Sequence, residues 1–169
     1  MREAVKALVE YDGPAYMRLG RLAVETVTDE IPGYSFELGK GATLRGGRDV
    51  TIIATGIMVP QAMKAAEALE NDGISARVID MHTIKPLDTE AVTAAINEIG
   101  KVITVEDHNI LNGLGSAVCE VAAEMGKGIV KRVGIQDQFG QSAPYERLLA
   151  MNGVTVENIT EIAETLVKG

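Results

Sequence analysis

The sequence predicts an α/β fold, a mainly parallel sheet with helices on both faces. Two observations carry this reading. Short β-branched apolar runs recur at Val50–Ala54, Ala76–Ile79, Val102–Val105 and Val130–Ile135. Between them lie amphipathic segments long enough to be helices, the spacing of successive βαβ units. The helices alternating with the strands imply mainly parallel pairing with both faces of the sheet covered.

Taken in order, residues 1–13 place Ala4, Val5, Leu8 and Val9 on one helical face and stop at Asp12-Gly13-Pro14. Ala15–Leu19 reads as a strand, followed by Gly20-Arg21. Residues 22–33 are poorly patterned and read as a linker crossing a surface, so a boundary falls there and 1–21 belong to a different unit. A strand pair is expected at Tyr34–Leu38 and Ala42–Leu44, turned by Gly46-Gly47. Asp49–Gly56 is an apolar strand ending in Thr-Gly. Residues 59–72 are a helix with Ala62, Ala65, Ala66 and Leu69 inward, closed by Gly73. After the strand 76–79 and the turn Ile84–Asp88, Asp88 is placed to cap a helix over 89–99. The strand Val102–Val105 ends in Glu106-Asp107-His108, and Asn112-Gly113-Leu114-Gly115 turns into a helix beginning near Ser116. A last strand, 130–135, precedes helices at 145–151, started by Pro144, and from Thr155 to about Val167.

Composition excludes several function classes. With 169 residues, 46% of them apolar, the chain builds one domain with a real core, plus at most a short appendage. A net charge of −8 with no basic stripe excludes a phosphate-backbone binder, so no nucleic-acid partner is expected. Cys119 is the sole cysteine, which excludes an internal disulfide and fits a reducing compartment. No apolar run has the length of a membrane span, and a cytoplasmic location is expected.

Several residues invite chemical readings. Glu106-Asp107-His108 could form an acid–base cluster, or could satisfy loop amides or an interface; the second use is the commoner. Gly113-x-Gly115 could cradle a phosphate at a helix N-terminus, although Val118 stands where a dinucleotide fingerprint has its third glycine. The plainer reading is a close-packed turn. His82 with Asp80 lacks further ligands at metal spacing and reads as a loop histidine. Cys119 sits in an apolar helix face and reads as core. Arg18 and Arg21 follow Gly13-Pro14 at the end of the first predicted strand, and suit either a forked phosphate clamp or surface ion pairs. No catalytic set is complete.

Four stretches, taken in order, resemble the C-terminal part of a transketolase. They are Gly13-Pro14-Ala15-Tyr16-Met17-Arg18-Leu19-Gly20-Arg21, Val50-Thr51-Ile52-Ile53-Ala54-Thr55-Gly56, Ile79-Asp80-Met81-His82-Thr83-Ile84-Lys85-Pro86-Leu87-Asp88, and Val105-Glu106-Asp107-His108 with Gly113-Leu114-Gly115. The resemblance covers essentially the whole chain. It is nearest to split-subunit or archaeal-type transketolases, and extends more distantly to deoxyxylulose-phosphate synthase and the β-subunits of 2-oxoacid dehydrogenases. Ala143, after Ser142, departs from the glycine common there.

The resemblance implies a three-layer α/β/α domain over 34–169, with a five-stranded, mostly parallel mixed sheet whose first strand is antiparallel. It makes 1–21 the end of a preceding pyrimidine-binding domain and 22–33 the linker. It implies a transferase of the pentose phosphate pathway, moving a two-carbon ketol unit between sugar phosphates with thiamine diphosphate and Mg²⁺. Arg21 best matches the family's phosphate-binding arginine, with Arg18 second. Glu106, Asp107, His108, Gly113 and Gly115 then form an interface or structural motif. The family's Gly-Asp-Gly diphosphate motif is missing, and the region of its activating glutamate would precede Met1. On this reading the chain alone binds neither cofactor nor metal and carries no catalytic residue. It needs an N-terminal transketolase part or subunit and assembles as a homodimer. The start at Met1, inside a helix–strand unit, favours a fragment. Two other readings stand beside this one. One is an independent module binding an anion or nucleotide at Gly113–Gly115. The other is a fragment of a 2-oxoacid dehydrogenase β-subunit that docks an acyltransferase.

Overall fold

A computed structural model describes residues 1–169, the side chain of Glu30 apart. Five strands form one sheet: β1 (Ala42–Arg45), β2 (Val50–Ala54), β3 (Ala76–Asp80), β4 (Lys101–Asn109) and β5 (Ile129–Ile135). Their order across the sheet is β1-β3-β2-β4-β5. β1 runs antiparallel to β3, and every other neighbouring pair is parallel. The expected five-stranded mixed sheet with an antiparallel first strand is therefore the observed one.

Among the described residues, six α-helices accompany the sheet: α1 (Arg2–Glu10), α2 (Val59–Asn71), α3 (Thr89–Glu98), α4 (Leu114–Met125), α5 (Tyr145–Met151) and α6 (Val156–Lys168). β2 shows why both faces are covered. Val50, Ile52 and Ala54 enter a core shared with Ala62, Ala65, Ala66 and Leu69 of α2, Leu149 of α5 and Ile159, Ala163 and Leu166 of α6. Ile53 enters the opposite core with Val92, Ala95 and Ile96 of α3 and Leu114 and Val118 of α4. Residues one apart on a strand point to opposite faces, so this strand has to be apolar at nearly every position.

Caps set the helix ends. Asp88, itself buried, accepts from Ala91 N with Oδ1 at 3.1 Å and from Gly41 N with Oδ2 at 2.9 Å, which starts α3 and fastens the entry to β1. Thr155 Oγ1 accepts from Asn158 N at the start of α6. α4 stops at Gly126, in the left-handed conformation at φ 64°.

Two expected strands are not formed. Tyr34–Leu38 is irregular and sits between two turns, with Tyr34 N bonded to Ile31 O and Lys40 N to Glu37 O. Its aromatic residues pack as single anchors, Tyr34 against the core and Phe36 on the His82 ring, 4.3 Å between centroids. Ala42–Leu44 does form a strand, but it pairs antiparallel with β3, and as β1 it stays the edge of the sheet with no second strand on its other side. Ala15–Leu19 is extended but has no strand partner. Helix α1 has its apolar stripe, yet none of its residues is buried. No helix is long and apolar enough to cross a membrane among the described residues.

Candidate functional site at the carboxyl end of the sheet

β4 continues to Asn109, so Glu106, Asp107 and His108 lie within the strand rather than beyond it. Glu106 is 2% exposed. Its Oε2 accepts from Leu114 N and its Oε1 from Gly115 N, both at 2.8 Å. One carboxylate thus takes two of the unpaired amides in the first turn of α4 and places its negative charge at the positive end of that helix.

The loop that makes this possible is built from side-chain bonds. Asn109 Oδ1 accepts from Leu111 N at 2.8 Å, Ser116 Oγ accepts from Asn112 N at 2.9 Å, and Arg132 Nη1 donates to Ile110 O at 2.9 Å. Asn112 takes a positive φ of 61°. Gly113 must lack a side chain, because a Cβ there would overlap Glu106 Oε2 and come within 2.9 Å of His108 Nδ1. At Gly115 a Cβ would meet Thr104 Oγ1 and the Arg132 side chain at 2.8 Å. Both glycines serve close approach.

A phosphate has no place in this turn. The Leu114 and Gly115 amides are already spent on Glu106, and a second anion would face that buried carboxylate. This argues against the nucleotide-module reading. The same two amides are closed to a diphosphate, and the sequence holds no Gly-Asp-Gly. Among the described residues, no group of three or more His, Cys, Asp or Glu is arranged to hold a metal ion.

Asp107 faces outward at the same end. Arg18 Nη1 donates to the Asp107 carbonyl at 2.9 Å, and Arg18 Nη2 lies 3.7 Å from Asp107 Oδ2. The Tyr145 hydroxyl is buried without a well-formed hydrogen bond. Burial first, and the Asp107 carboxylate second, push its pKa up to about 12. His108 is half exposed; its Nδ1 is 2.7 Å from Asn109 O and 3.9 Å from Glu106 Oε2. A carbonyl only accepts, so Nδ1 carries the hydrogen and Nε2 is left free. Arg21 is exposed and, among the described residues, makes no hydrogen bond or ion pair.

The remaining candidates lie elsewhere. Asp80 ends β3 at 8% exposure; burial raises its pKa to about 6, with the Met1 amino group opposing. His82 bonds Thr83 Oγ1 at 2.9 Å through Nδ1, and burial lowers its pKa. Cys119 is half-buried, and burial pushes its thiol up. Sequence reasoning missed Tyr145 behind Asp107 and the burial of Asp80. An aspartate closing the apolar run Ala76–Ile79 was the available signal for the second.

The fold and this site define a class: an α/β domain whose sheet end is sealed by its own side chains. The chain belongs to the transketolase C-terminal domain family, whose pattern matches residues 39–159. It is 42% identical over 167 residues to one subunit of an apulose-4-phosphate transketolase from Phocaeicola vulgatus, covering 99% of this chain and 53% of that protein. It is 40% identical over 166 residues to a 6-deoxy-6-sulfo-D-fructose transketolase subunit from Clostridium sp., covering 96% of this chain and 50% of that one. Among solved structures, a split-gene transketolase described as an inactive β4 tetramer superposes with a TM-score of 0.91. That structure is 42% identical, with 99% of this chain and 54% of the other covered. The chain spans about half the length of these relatives.

Proposed function

We propose that this chain is the C-terminal section of a thiamine diphosphate-dependent transketolase, one part of an enzyme that moves a two-carbon ketol unit between sugar phosphates. One observation carries the reading: nearly the whole chain aligns with only half of proteins that are transketolase subunits. The absence of a diphosphate motif in the sequence fits the same division of labour. The cofactor and Mg²⁺ belong to an N-terminal partner, and the active enzyme is a dimer of such pairs. In this reading residues 1–21 end the preceding pyrimidine-binding domain and 22–33 are the linker. The exposure of Val5, Val9, Tyr16 and Leu19, at 48%, 81%, 92% and 58%, suits a segment that packs on another unit.

This chain's contribution to the substrate is Arg21. A sugar phosphate is a compact dianion, and a guanidinium can hold two of its oxygens at once. Arg21 is exposed and, among the described residues, pairs with no carboxylate, whereas Arg18 lies beside Asp107. The test is reconstitution. The chain and its N-terminal partner, mixed, transfer ketol from xylulose 5-phosphate to a phosphorylated aldose, and neither does so alone. Transfer by this chain unaided, or none from a mixture shown to associate, would overturn the proposal.

A further inference from the structure

We propose that Arg18 is a tether and not a substrate ligand: its guanidinium, forked onto Asp107, fixes the extended segment that presents Arg21. The inference rests on the phosphate reading of Arg21 for its consequence but not for its geometry. Among the described residues, a single hydrogen bond joins residues 1–24 to the rest of the chain, from Arg18 Nη1 to the Asp107 carbonyl. The second guanidinium nitrogen reaches toward the carboxylate of the same residue. A planar fork can serve a carbonyl and a carboxylate together, and an ammonium cannot do so in a fixed geometry.

The anchor is part of the sheet. Asp107 lies in β4 at a register shift bracketed by the paired positions Val105–Val133 and Asn109–Ile135, and its carboxylate is backed by the buried Tyr145 hydroxyl of α5. A second fixed point follows at once. Gly20 is pressed on Ile57, so closely that a Cβ would lie 2.7 Å from Ile57 Cγ2. Arg21 is the next residue, within about 10 Å of Arg18 even on a fully extended chain. Asp107 also spoils Arg18 as a phosphate ligand, because the carboxylate that holds the guanidinium repels an incoming dianion. Among the described residues, Arg21 pairs with no carboxylate.

Two measurements test this. In the full chain, ¹⁵N relaxation in Arg18→Ala and Arg18→Lys should show order parameters for residues 15–21 falling below about 0.6, the flexible range. Asp107→Asn, which keeps the carbonyl acceptor, should show a smaller fall. Arg18 is 59% exposed at its side chain, so the fold survives these changes. Order parameters unchanged in Arg18→Ala overturn the tether. In the enzyme reconstituted with its N-terminal partner, Arg18→Ala should raise KM for phosphorylated acceptors about tenfold, and more than it lowers kcat. Asp107→Asn should raise KM in the same direction by a smaller factor. If Arg18 were the ligand, Asp107→Asn would release it and lower KM; that sign overturns the proposal. Arg21→Ala with unchanged KM would instead sink the phosphate reading, and the relaxation result would still judge the tether.

Discussion

Replacing Glu106 with alanine removes an acceptor, and its cost can be worked from the contacts. The side chain is 2% exposed and both of its oxygens hold amides of the first turn of α4. Leu114 and Gly115 are themselves buried, so water does not replace the lost acceptor. Each orphaned buried donor costs about 1–3 kcal/mol, and the lost charge at the helix N-terminus adds about 0.3–1 kcal/mol. Glu106→Ala should therefore destabilise the chain by about 3–5 kcal/mol. Glu106→Gln keeps one acceptor and turns an N–H against the other amide, so its loss should be about 2 kcal/mol. Urea unfolding at neutral pH, followed by circular dichroism, measures both. For a chain of this size the alanine variant should melt roughly 10 °C below wild type. A Glu106→Ala midpoint within about 1 kcal/mol of wild type would refute the reasoning, because a carboxylate that caps two buried amides cannot be removed so cheaply.

Other predictions follow from the same geometry. Gly113→Ala drives a methyl into the Glu106 carboxylate and should cost about 2–4 kcal/mol in the same unfolding assay, from lost hydrogen bonds and overpacking. Asp80 has a folded pKa of about 6, raised above its unfolded value, so its ionisation opposes folding. Wild-type stability should fall relative to Asp80→Asn by about 3 kcal/mol as pH rises from 4 to 7, and stay level above that; a difference independent of pH would contradict the buried carboxylate. In the reconstituted enzyme, Arg21→Ala should raise KM for phosphorylated acceptors about ten- to hundredfold, the worth of a charged hydrogen-bond pair at ~1.5–3 kcal/mol. Glycolaldehyde, which has no phosphate, should be nearly unaffected, and equal losses for both acceptors would make Arg21 structural.

Legibility followed the range of the forces involved. The strands 50–54 and 76–80 and the helices between them were readable because burial leaves a local record in the sequence, and 129–135 because its β-branched residues and the helical spacing around it do the same. Tyr34–Leu38 misled because aromatic propensity does not decide whether a segment pairs: Tyr34 and Phe36 are spent as single anchors, and β1 stays the edge of the sheet. Ala15–Leu19 failed likewise, having no strand to pair with. The triplet 106–108 was found, but its division of labour was not: Glu106 points inward to α4, while Asp107 faces Arg18, 89 positions earlier in sequence. That split follows from alternation along β4, and it became visible only when the strand proved to run through the triplet to Asn109. The glycines at 113 and 115 read as a possible phosphate loop because flexibility and close packing leave the same letter. Only the position of the Glu106 carboxylate separates them.

The central claim is that this chain is one part of a thiamine diphosphate enzyme and holds none of the cofactor by itself. Calorimetric titration of thiamine diphosphate with Mg²⁺ tests it most directly, into the purified chain, into its N-terminal partner, and into their mixture. The account predicts no heat of binding to this chain and saturable binding to the mixture. Micromolar binding to the chain alone would contradict it.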